Sequence, residues 1–198
     1  MIEKQELRRQ MIHAATVIIP LLYHFFPDIG PLSGQQIIMI LFFLIGGTFV
    51  LADYFRRKNE KVRAAFMWLV SPFIRNIENE KMTAASSIAI SFFLVLLLFP
   101  AHIAVPACML LSIADATSGI VGRWIGKNTL YKNFTIEGSL AFILAGLLLF
   151  TIGFPYIPLW KALLVVSICA LLEGLLSHLN DNYVIPLSAA MMMLMLEV

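Results

Sequence analysis

Two acidic residues of this sequence lie inside long apolar segments, where a charge is costly. Asp115 is near the end of one segment, and Glu173 lies well inside another. A charged side chain at the centre of a membrane helix costs on the order of 3 kcal/mol, so it needs a partner, a water-filled cavity or protonation. Both residues are therefore candidates for chemistry. A neutral carboxyl bonded to a neighbouring helix is the structural alternative.

The residues after Asp115 combine a bare helix face with two cations. On a helix, Gly119 and Gly122 follow Asp115 at i+4 and i+7, so one face is acidic at one end and lacks side chains thereafter. Arg123 and Lys127 come next, and a guanidinium and an ammonium beside bare backbone suit phosphate oxygens. Close helix packing through small residues and a snorkelling role for the two cations are the alternatives.

A second candidate for anion binding begins the fifth apolar segment. Glu137, Gly138 and Ser139 stand at its mouth, where a helix N-terminus offers backbone N–H groups to an anion. Glu137 alternatively favours the helix dipole. No Walker A pattern, dinucleotide-binding glycine fingerprint or protein-kinase glycine loop occurs in the sequence. A nucleotide must therefore bind by other means.

The last polar cluster follows Glu173 and contains Asp181 and Asn182. Carboxylates from separate helices that meet beside cations describe a magnesium–triphosphate site, because magnesium takes one or two carboxylates and completes its octahedron with water and phosphate oxygens. Asp115 and Asp181 are the predicted ligands of Mg²⁺. Taken alone, Asp181 and Asn182 are also consistent with an ordinary helix-capping turn.

The bulk composition places these residues in a membrane protein. Of the 198 residues, 60% are apolar and 13% are charged, against roughly half and a quarter in soluble proteins. At about 20 residues for each crossing, the pattern predicts an all-α, polytopic helix bundle that occupies residues 1–198 as one membrane domain. A further stretch, 64–74, is predicted to lie along the membrane interface. The seven predicted spans are Met11–Phe26, Gln36–Phe55, Met82–Phe99, Ala101–Val121, Ile136–Phe154, Leu159–Leu179 and Tyr183–Leu196.

Lysine and arginine in the loops orient the predicted bundle in the cell membrane. With the N-terminus in the cytoplasm, the outer side receives Lys161 alone, and the candidate site faces the cytoplasm. The formal charge of +2 is too small to suggest nucleic-acid binding, and the sequence leaves self-association open. The inner side receives Lys4, Arg8, Arg9, Arg56, Arg57, Lys58, Lys61, Arg63, Arg75, Lys81, Arg123, Lys127 and Lys132.

In their order and spacing, these residues resemble the CTP-dependent lipid kinases. That family includes dolichol kinase, phytol kinase and the CTP-using diacylglycerol kinase, and it is related to phosphatidate cytidylyltransferase. The chain departs from the family at Gln10 and at Phe134, where lysines are usual, and Lys132 is the candidate to replace the second. The resemblance is carried by Glu6-Leu-Arg-Arg9 with His13, Thr83-Ala-Ala-Ser86, Asp115-Ala with Gly122-Arg123 and Gly126-Lys127, Glu137-Gly-Ser139, and Glu173 with Asp181-Asn182 and Pro186.

The resemblance implies transfer of the terminal phosphoryl group of CTP to the hydroxyl of a membrane lipid alcohol, such as diacylglycerol, a polyprenol or phytol. It implies Mg²⁺ on Asp115 and Asp181, and either Glu173 or His13 as acceptor of the alcohol proton. The nucleotide and phosphate contacts that it implies are Arg9, Gly119, Gly122, Arg123, Lys127, Lys132, Glu137, Gly138, Ser139 and Asn182.

Two rival functions follow from the same residues. A cytidylyltransferase would release pyrophosphate and form a CDP-lipid, but the longer signature of that branch, with its Lys-Arg and Lys-Asp pairs, does not occur in the sequence. A small transporter would also carry acidic residues inside the membrane. Against a transporter, the polar residues stop at one predicted edge of the bundle, and no inverted repeat is evident.

Overall fold

The computed structural model describes residues 4–70, 81–131, 134–176 and 179–198. These residues form a helical bundle, together with one short antiparallel hairpin that the sequence did not predict. The hairpin pairs β1 (Thr129–Tyr131) with β2 (Phe134–Thr135). The helices are α1 (Lys4–Ala15), α2 (Ile18–Phe25), α3 (Gly34–Phe55), α4 (Glu60–Val70), α5 (Ala84–Leu98), α6 (Ala101–Trp124), α7 (Ile136–Gly153), α8 (Leu159–Leu175) and α9 (Asp181–Met195).

From the second apolar segment onward, the helices coincide with the predicted spans to within a few residues. Helices α3, α6 and α7 are long and apolar enough to cross a membrane, and α5 is a shorter apolar helix. Side-chain caps explain several of the starts, because Ser33, Thr83 and Thr135 each accept a backbone N–H of the helix that follows. The number of spans and the side of the N-terminus remain predictions.

The predicted interfacial stretch lies partly in α4, while residues 71–74 fall outside the described part of the chain. Phe66 of α4 is buried, with its ring centroid 5.2 Å from that of Phe49 on α3. Trp68 and Leu69 are 84% and 64% exposed. Helix α4 therefore packs one aromatic side chain against α3 and presents other apolar side chains outward, and its place at the interface remains a prediction.

The first apolar segment is broken between α1 and α2, which its hydropathy did not predict. Pro20 has no backbone N–H, and its ring does not allow a continuous helix through the carbonyl group of Thr16, four residues earlier. The chain turns at Thr16 and Val17, and Pro20 then falls in the first turn of α2, where it needs no helical partner. Helix α1 ends at Ala15 as a result and packs against α6.

Helix α6 is the centre of the bundle. Of its most apolar stretch, 72% is buried inside the protein, against 28% for α7 and 11% for α3. Pro106 lies inside α6 and cannot bond the carbonyl oxygen of His102, which instead accepts the Tyr156 hydroxyl at 2.6 Å. Residues Leu111–Asp115 form a π-helical turn, a wider turn that is frequent at functional sites. The sequence predicts the span but not this turn, of which Asp115 is the last residue.

Side chains from the neighbouring helices pack around α6 and form the core. Phe92 of α5, Phe142 of α7, Val165 of α8 and Ile185 of α9 are all fully buried beside Leu110 of α6. Such packing holds membrane helices together, because lipid tails are as apolar as the side chains and give no hydrophobic drive between helices. The core fixes the relative positions of α6, α8 and α9, which carry the candidate acidic residues.

A buried ion pair ties the end of α3 to the start of α5. Arg56 Nε donates to Asp53 Oδ1 at 2.6 Å, and both side chains are at most 1% exposed. The backbone N–H and the hydroxyl of Thr83 donate to Asp53 Oδ2 at 2.8 and 3.0 Å, and Arg56 Nη2 donates to the carbonyl oxygen of Lys81 at 2.8 Å. Arg56, counted in the sequence among the cations that orient the bundle, is therefore a buried structural residue.

Replacing Arg56 with methionine is expected to lower the free energy of unfolding by about 3–5 kcal/mol, because it leaves the Asp53 carboxylate buried without its cation. The matched control is Arg57→Met, since Arg57 is exposed and such surface changes stay within about 0.5 kcal/mol. Thermal unfolding of both variants in the same detergent measures the difference. Equal stability of the two variants would contradict the structural role of Arg56.

Candidate functional site

Helix α1 brings His13 against the π-helical turn of α6. His13 Nδ1 lies 3.4 Å from Asp115 Oδ2, with the two side chains 3% and 14% exposed. The Thr16 hydroxyl holds the two helices together, since it donates to the carbonyl oxygen of His13 at 2.6 Å and lies 2.8 Å from the Ser112 hydroxyl. Neither ring nitrogen of His13 makes a hydrogen bond, and the Asp115 carboxylate becomes an ion-pair partner of Nδ1 when the ring is protonated.

Carboxyl groups from two further helices lie within electrostatic range of Asp115. The Ser118 hydroxyl donates to Glu173 Oε1 at 3.2 Å. The Asp115 and Asp181 carboxylates are close enough to Glu173 for their charges to act on it, and Asp115 and Asp181 likewise act on each other. The structure thus brings together Asp115 of α6, Glu173 of α8 and Asp181 of α9, which are far apart in the sequence.

Two carboxyl oxygens of this acidic cluster lack a partner. Glu173 Oε2 and Asp181 Oδ1 are buried and have no hydrogen-bond partner, and like charges at short range disfavour one another unless a positive charge joins them. In the described part of the chain, no group of three His, Cys, Asp or Glu side chains is placed so that it could hold a metal ion, and Mg²⁺ on Asp115 and Asp181 remains a prediction. Magnesium does not need three such ligands, because it usually takes one or two carboxylates and retains water or phosphate oxygens.

Two arginines share one amide, and one of them acts on the acidic cluster. The charge of Arg9 acts on both His13 and Asp181. The Gln10 side chain is 3% exposed, and with its amide oxygen turned toward the guanidinium groups it accepts Arg9 Nη2 at 3.0 Å and Arg123 Nη1 at 3.1 Å. Gln10 therefore holds two cations from different helices side by side.

The glycines of α6 are packed against neighbouring helices. A Cβ atom on Gly119 would overlap the Gln10 amide, so this glycine makes room for the residue that joins the arginines. A Cβ atom on Gly138 would lie 3.3 Å from Gly122 Cα and 3.2 Å from the Ser118 carbonyl oxygen. Gly122 and Gly138 thus allow the start of α7 to approach α6 closely, and contact of either glycine with a nucleotide remains a prediction.

The polar residues at the start of α7 organise the loop before it. The Glu137 carboxylate accepts the Asn128 side-chain amide at 2.8 Å and the Asn128 backbone N–H at 3.3 Å. The Gly138 N–H donates to the Thr135 hydroxyl at 3.1 Å, and the Ser139 hydroxyl donates to the Thr135 carbonyl oxygen at 3.0 Å. The Gly138 N–H and the Ser139 hydroxyl, which the sequence predicted as donors to an anion, are therefore already bonded within the protein. A phosphate contact at these residues remains a prediction.

The remaining predicted contacts lie at the edges of the site. Lys127 is exposed, whereas Lys132 lies outside the described residues. Asn180, rather than Asp181 or Asn182, caps α9, because its side-chain oxygen accepts the Asn182 backbone N–H at 3.1 Å. The Asn182 side chain is buried and donates to the Ala84 carbonyl oxygen at 3.4 Å, so it joins α9 to α5.

Sequence reasoning missed two residues that the structure places in the site. Ser118 stands three positions after Asp115, and that helical spacing was the available signal for a shared face. Gln10 stands three positions before His13, but the sequence marks it only as a departure from lysine. Its role became visible only when α1 was placed against α6.

Comparison with known proteins gives two informative similarities. No family model and no solved structure matches the chain. The chain is 29% identical over 192 residues to an uncharacterized protein of Rickettsia prowazekii, covering 92% of this chain and 90% of that protein. It is 32% identical over 143 residues to the CTP-dependent diacylglycerol kinase 1 of Schizosaccharomyces pombe, covering 62% of this chain and 64% of that protein. Over part of its length, this helical, membrane-type chain is thus a distant relative of a lipid kinase.

Proposed function

We propose that this chain is a CTP-dependent kinase that phosphorylates the hydroxyl group of a membrane lipid alcohol at the cytoplasmic face of the cell membrane. The observation that carries the proposal is the placement of His13 3.4 Å from Asp115 on α6, with Glu173 of α8 bonded to Ser118 on the next turn of α6. The similarity to a CTP-dependent diacylglycerol kinase supports the same activity. Diacylglycerol, polyprenol and phytol are the candidate acceptor classes.

The proposed reaction is a direct phosphoryl transfer. The alcohol oxygen attacks the γ-phosphorus of CTP, the bond between that phosphorus and the β-phosphate oxygen breaks, and CDP leaves with the bonding electrons. The hydroxyl proton passes to His13, whose Nε2 is buried without a hydrogen-bond partner, and the products are a lipid phosphate and CDP. Such a transfer requires positioning and charge neutralisation more than covalent catalysis.

The basic and acidic residues of the site have different proposed roles toward the triphosphate. Arg9 and Arg123, joined by Gln10, would contact phosphate oxygens, because guanidinium groups match them in geometry and charge. Asp115 and Asp181 would hold Mg²⁺, which when bound supplies positive charge to the phosphates. Glu173 is held by Ser118 and would keep the acidic cluster in place.

Labelled CTP and a panel of lipid alcohols test the proposal with the purified chain. With the label in the γ-phosphate, the expected product is a labelled lipid monophosphate, and with the label in the cytidine, the expected product is CDP. A cytidine-labelled lipid with release of pyrophosphate would instead identify a cytidylyltransferase. Solute flux in liposomes without labelling of any lipid would contradict both enzyme functions.

The proposed membrane arrangement has seven spans, a cytoplasmic N-terminus and the site at the inner face. It rests on the apolar segments and on the placement of nearly all lysines and arginines in the predicted inner loops. A tag at the N-terminus should be digested in inside-out vesicles and protected in right-side-out vesicles. The opposite pattern would overturn the orientation, and with it the access of the site to cytoplasmic nucleotide.

Changing Gln10 to leucine is expected to raise the KM for CTP by about tenfold, because the substitution removes a shared hydrogen-bond acceptor from two charged donors. The guanidinium groups of Arg9 and Arg123 then lose the contact that holds them together. Steady-state kinetics at saturating lipid alcohol measures the effect. Gln35→Leu is the matched control, since Gln35 is exposed at the start of α3. An unchanged KM in the Gln10 variant would remove Gln10 from the phosphate site.

A further inference from the structure

An apolar cleft of about 210 Å³ opens beside His13, among helices α1, α3, α4 and α5. Most of its wall is hydrocarbon, contributed by Ile12, Phe49, Val70, Ala84, Ala85 and Ile88. Arg9, His13, Thr16 and Thr83 complete the wall. A cleft with this lining suits an aliphatic chain, because hydrocarbon groups in close contact gain many small van der Waals attractions.

The cleft touches the candidate site through Arg9 and His13, which both line it. His13 lines the cleft and also lies 3.4 Å from Asp115 Oδ2. The His13 side chain is 3% exposed, and neither of its ring nitrogens has a hydrogen-bond partner. A buried polar group without a partner costs free energy comparable to a lost hydrogen bond, so a hydroxyl group brought against His13 would offer Nε2 the hydrogen-bond partner that it lacks.

We infer that this cleft binds the lipid acceptor, with the hydroxyl group at His13 and the first carbons of one hydrocarbon chain along Ile12, Phe49, Ala85 and Ile88. This inference rests on the proposed kinase function and assigns the acceptor part of the same site. The ligand chemistry is a single aliphatic chain attached close to a hydroxyl group. An isoprenoid alcohol offers one such chain, and diacylglycerol offers one of its two.

The size of the cleft explains why only one chain is assigned to it. Pockets that enclose a drug-sized ligand measure roughly 300–1,000 Å³, and this cleft is smaller. It therefore holds only the part of the acceptor nearest the reacting oxygen, and the rest of the lipid lies outside it. Specificity at this position depends on the width of the chain next to the hydroxyl group.

Photolabelling tests the location without requiring turnover. The probe is a long-chain primary alcohol with a diazirine group a few carbons from its hydroxyl, added to the full chain in detergent without nucleotide and mapped by mass spectrometry. Labelling of α1, α3, α4 or α5 at the cleft residues is expected, with competition from a polyprenol or from diacylglycerol identifying the preferred source. Labelling confined to other helices would overturn the inference.

Variants that fill the cleft provide a second test of the inference. Ala85 is exposed and lines the cleft, so Ala85→Phe and the smaller Ala85→Leu fill it without disturbing the core. Each is expected to lower photolabelling and the kcat/KM for a long-chain alcohol by about tenfold or more, with the KM for CTP unchanged. Ala65→Phe is the matched control, because Ala65 is exposed on α4 and does not line the cleft.

The two tests separate this inference from the proposed function. Cleft labelling that Ala85→Phe removes, in a chain that phosphorylates no alcohol, would support the lipid cleft and contradict the kinase. Phosphorylation that both Ala85 variants leave unchanged would support the kinase and overturn the cleft as its acceptor site.

Discussion

Asp115→Asn is expected to lower turnover by about 100-fold or more, the scale on which removal of one electrostatic stabiliser acts, while the protein remains folded. The substitution removes a negative charge and almost no volume. It acts where α1, α6, α8 and α9 meet, since Asp115 lies 3.4 Å from His13 and its charge acts on Glu173 and Asp181. The kcat for phosphorylation of a lipid alcohol, measured at several magnesium concentrations, reports the effect.

Two controls accompany this experiment: a measurement of folding, and a carboxylate substitution outside the site. The thermal midpoint and the size-exclusion profile in detergent should match those of the unchanged chain, because the core around α6 does not involve the Asp115 charge. Glu60→Gln removes an exposed carboxylate at the start of α4 and should leave turnover unchanged. Near-normal phosphorylation by the Asp115 variant would refute both its role in the site and its assignment as a magnesium ligand.

The helices were largely predictable because apolar stretches and caps are local signals. Ser33, Thr83 and Thr135 begin α3, α5 and α7 by bonding backbone groups within the same few residues, and such patterns can be read directly from the sequence. The break at Thr16 and the π-helical turn before Ala116 were not predicted. The break follows from Pro20, which a hydropathy reading does not register. The π-helical turn lies where the hydroxyls of Thr16 and Ser112 approach to 2.8 Å, and hydropathy carries no information about such a contact.

The acidic residues of the site were predictable for a different reason. A carboxylate inside an apolar segment is costly, so Asp115 and Glu173 stand out against the apolar residues that surround them in the sequence. Polar residues near segment ends are not conspicuous in this way. Asp53 and Arg56 stand near the end of a predicted span and read as ordinary loop-side charges, although in the structure they form a buried ion pair. Gln10 was missed for the same reason, because it is a polar residue next to the start of the first predicted span.

The arrangement around Asp115 suggests how one small bundle can join a water-soluble donor to an insoluble acceptor. Arg9 and Arg123 are linked through Gln10 and offer cationic groups to a phosphate. Arg9 and His13 also line the apolar cleft. A nucleotide phosphate and an alcohol would therefore approach one another at His13. The nucleotide would not have to leave water completely, and the lipid would not have to leave the membrane completely.

Because of this position, replacing His13 best separates the proton-transfer step from the binding of CTP. His13→Gln is expected to lower kcat by about 10²–10⁴-fold, the usual contribution of a positioned proton acceptor, with little change in the KM for CTP. His24→Gln is the matched control, because His24 is exposed on α2 and should be silent. Initial rates at saturating CTP, with and without the substitution, give the comparison.

The acidity of the acceptor distinguishes a proton-accepting His13 from one that only positions the alcohol. A long-chain alcohol fluorinated beside its hydroxyl gives up its proton more readily, so it depends less on the imidazole. If His13 takes the proton, the loss in His13→Gln should be clearly smaller with the fluorinated acceptor than with the ordinary one. In Glu173→Gln, whose carboxyl is bonded to Ser118 and acts on the acidic cluster, the loss should be the same with both acceptors. The reverse pattern would assign the proton to Glu173 and leave His13 a binding residue of the cleft.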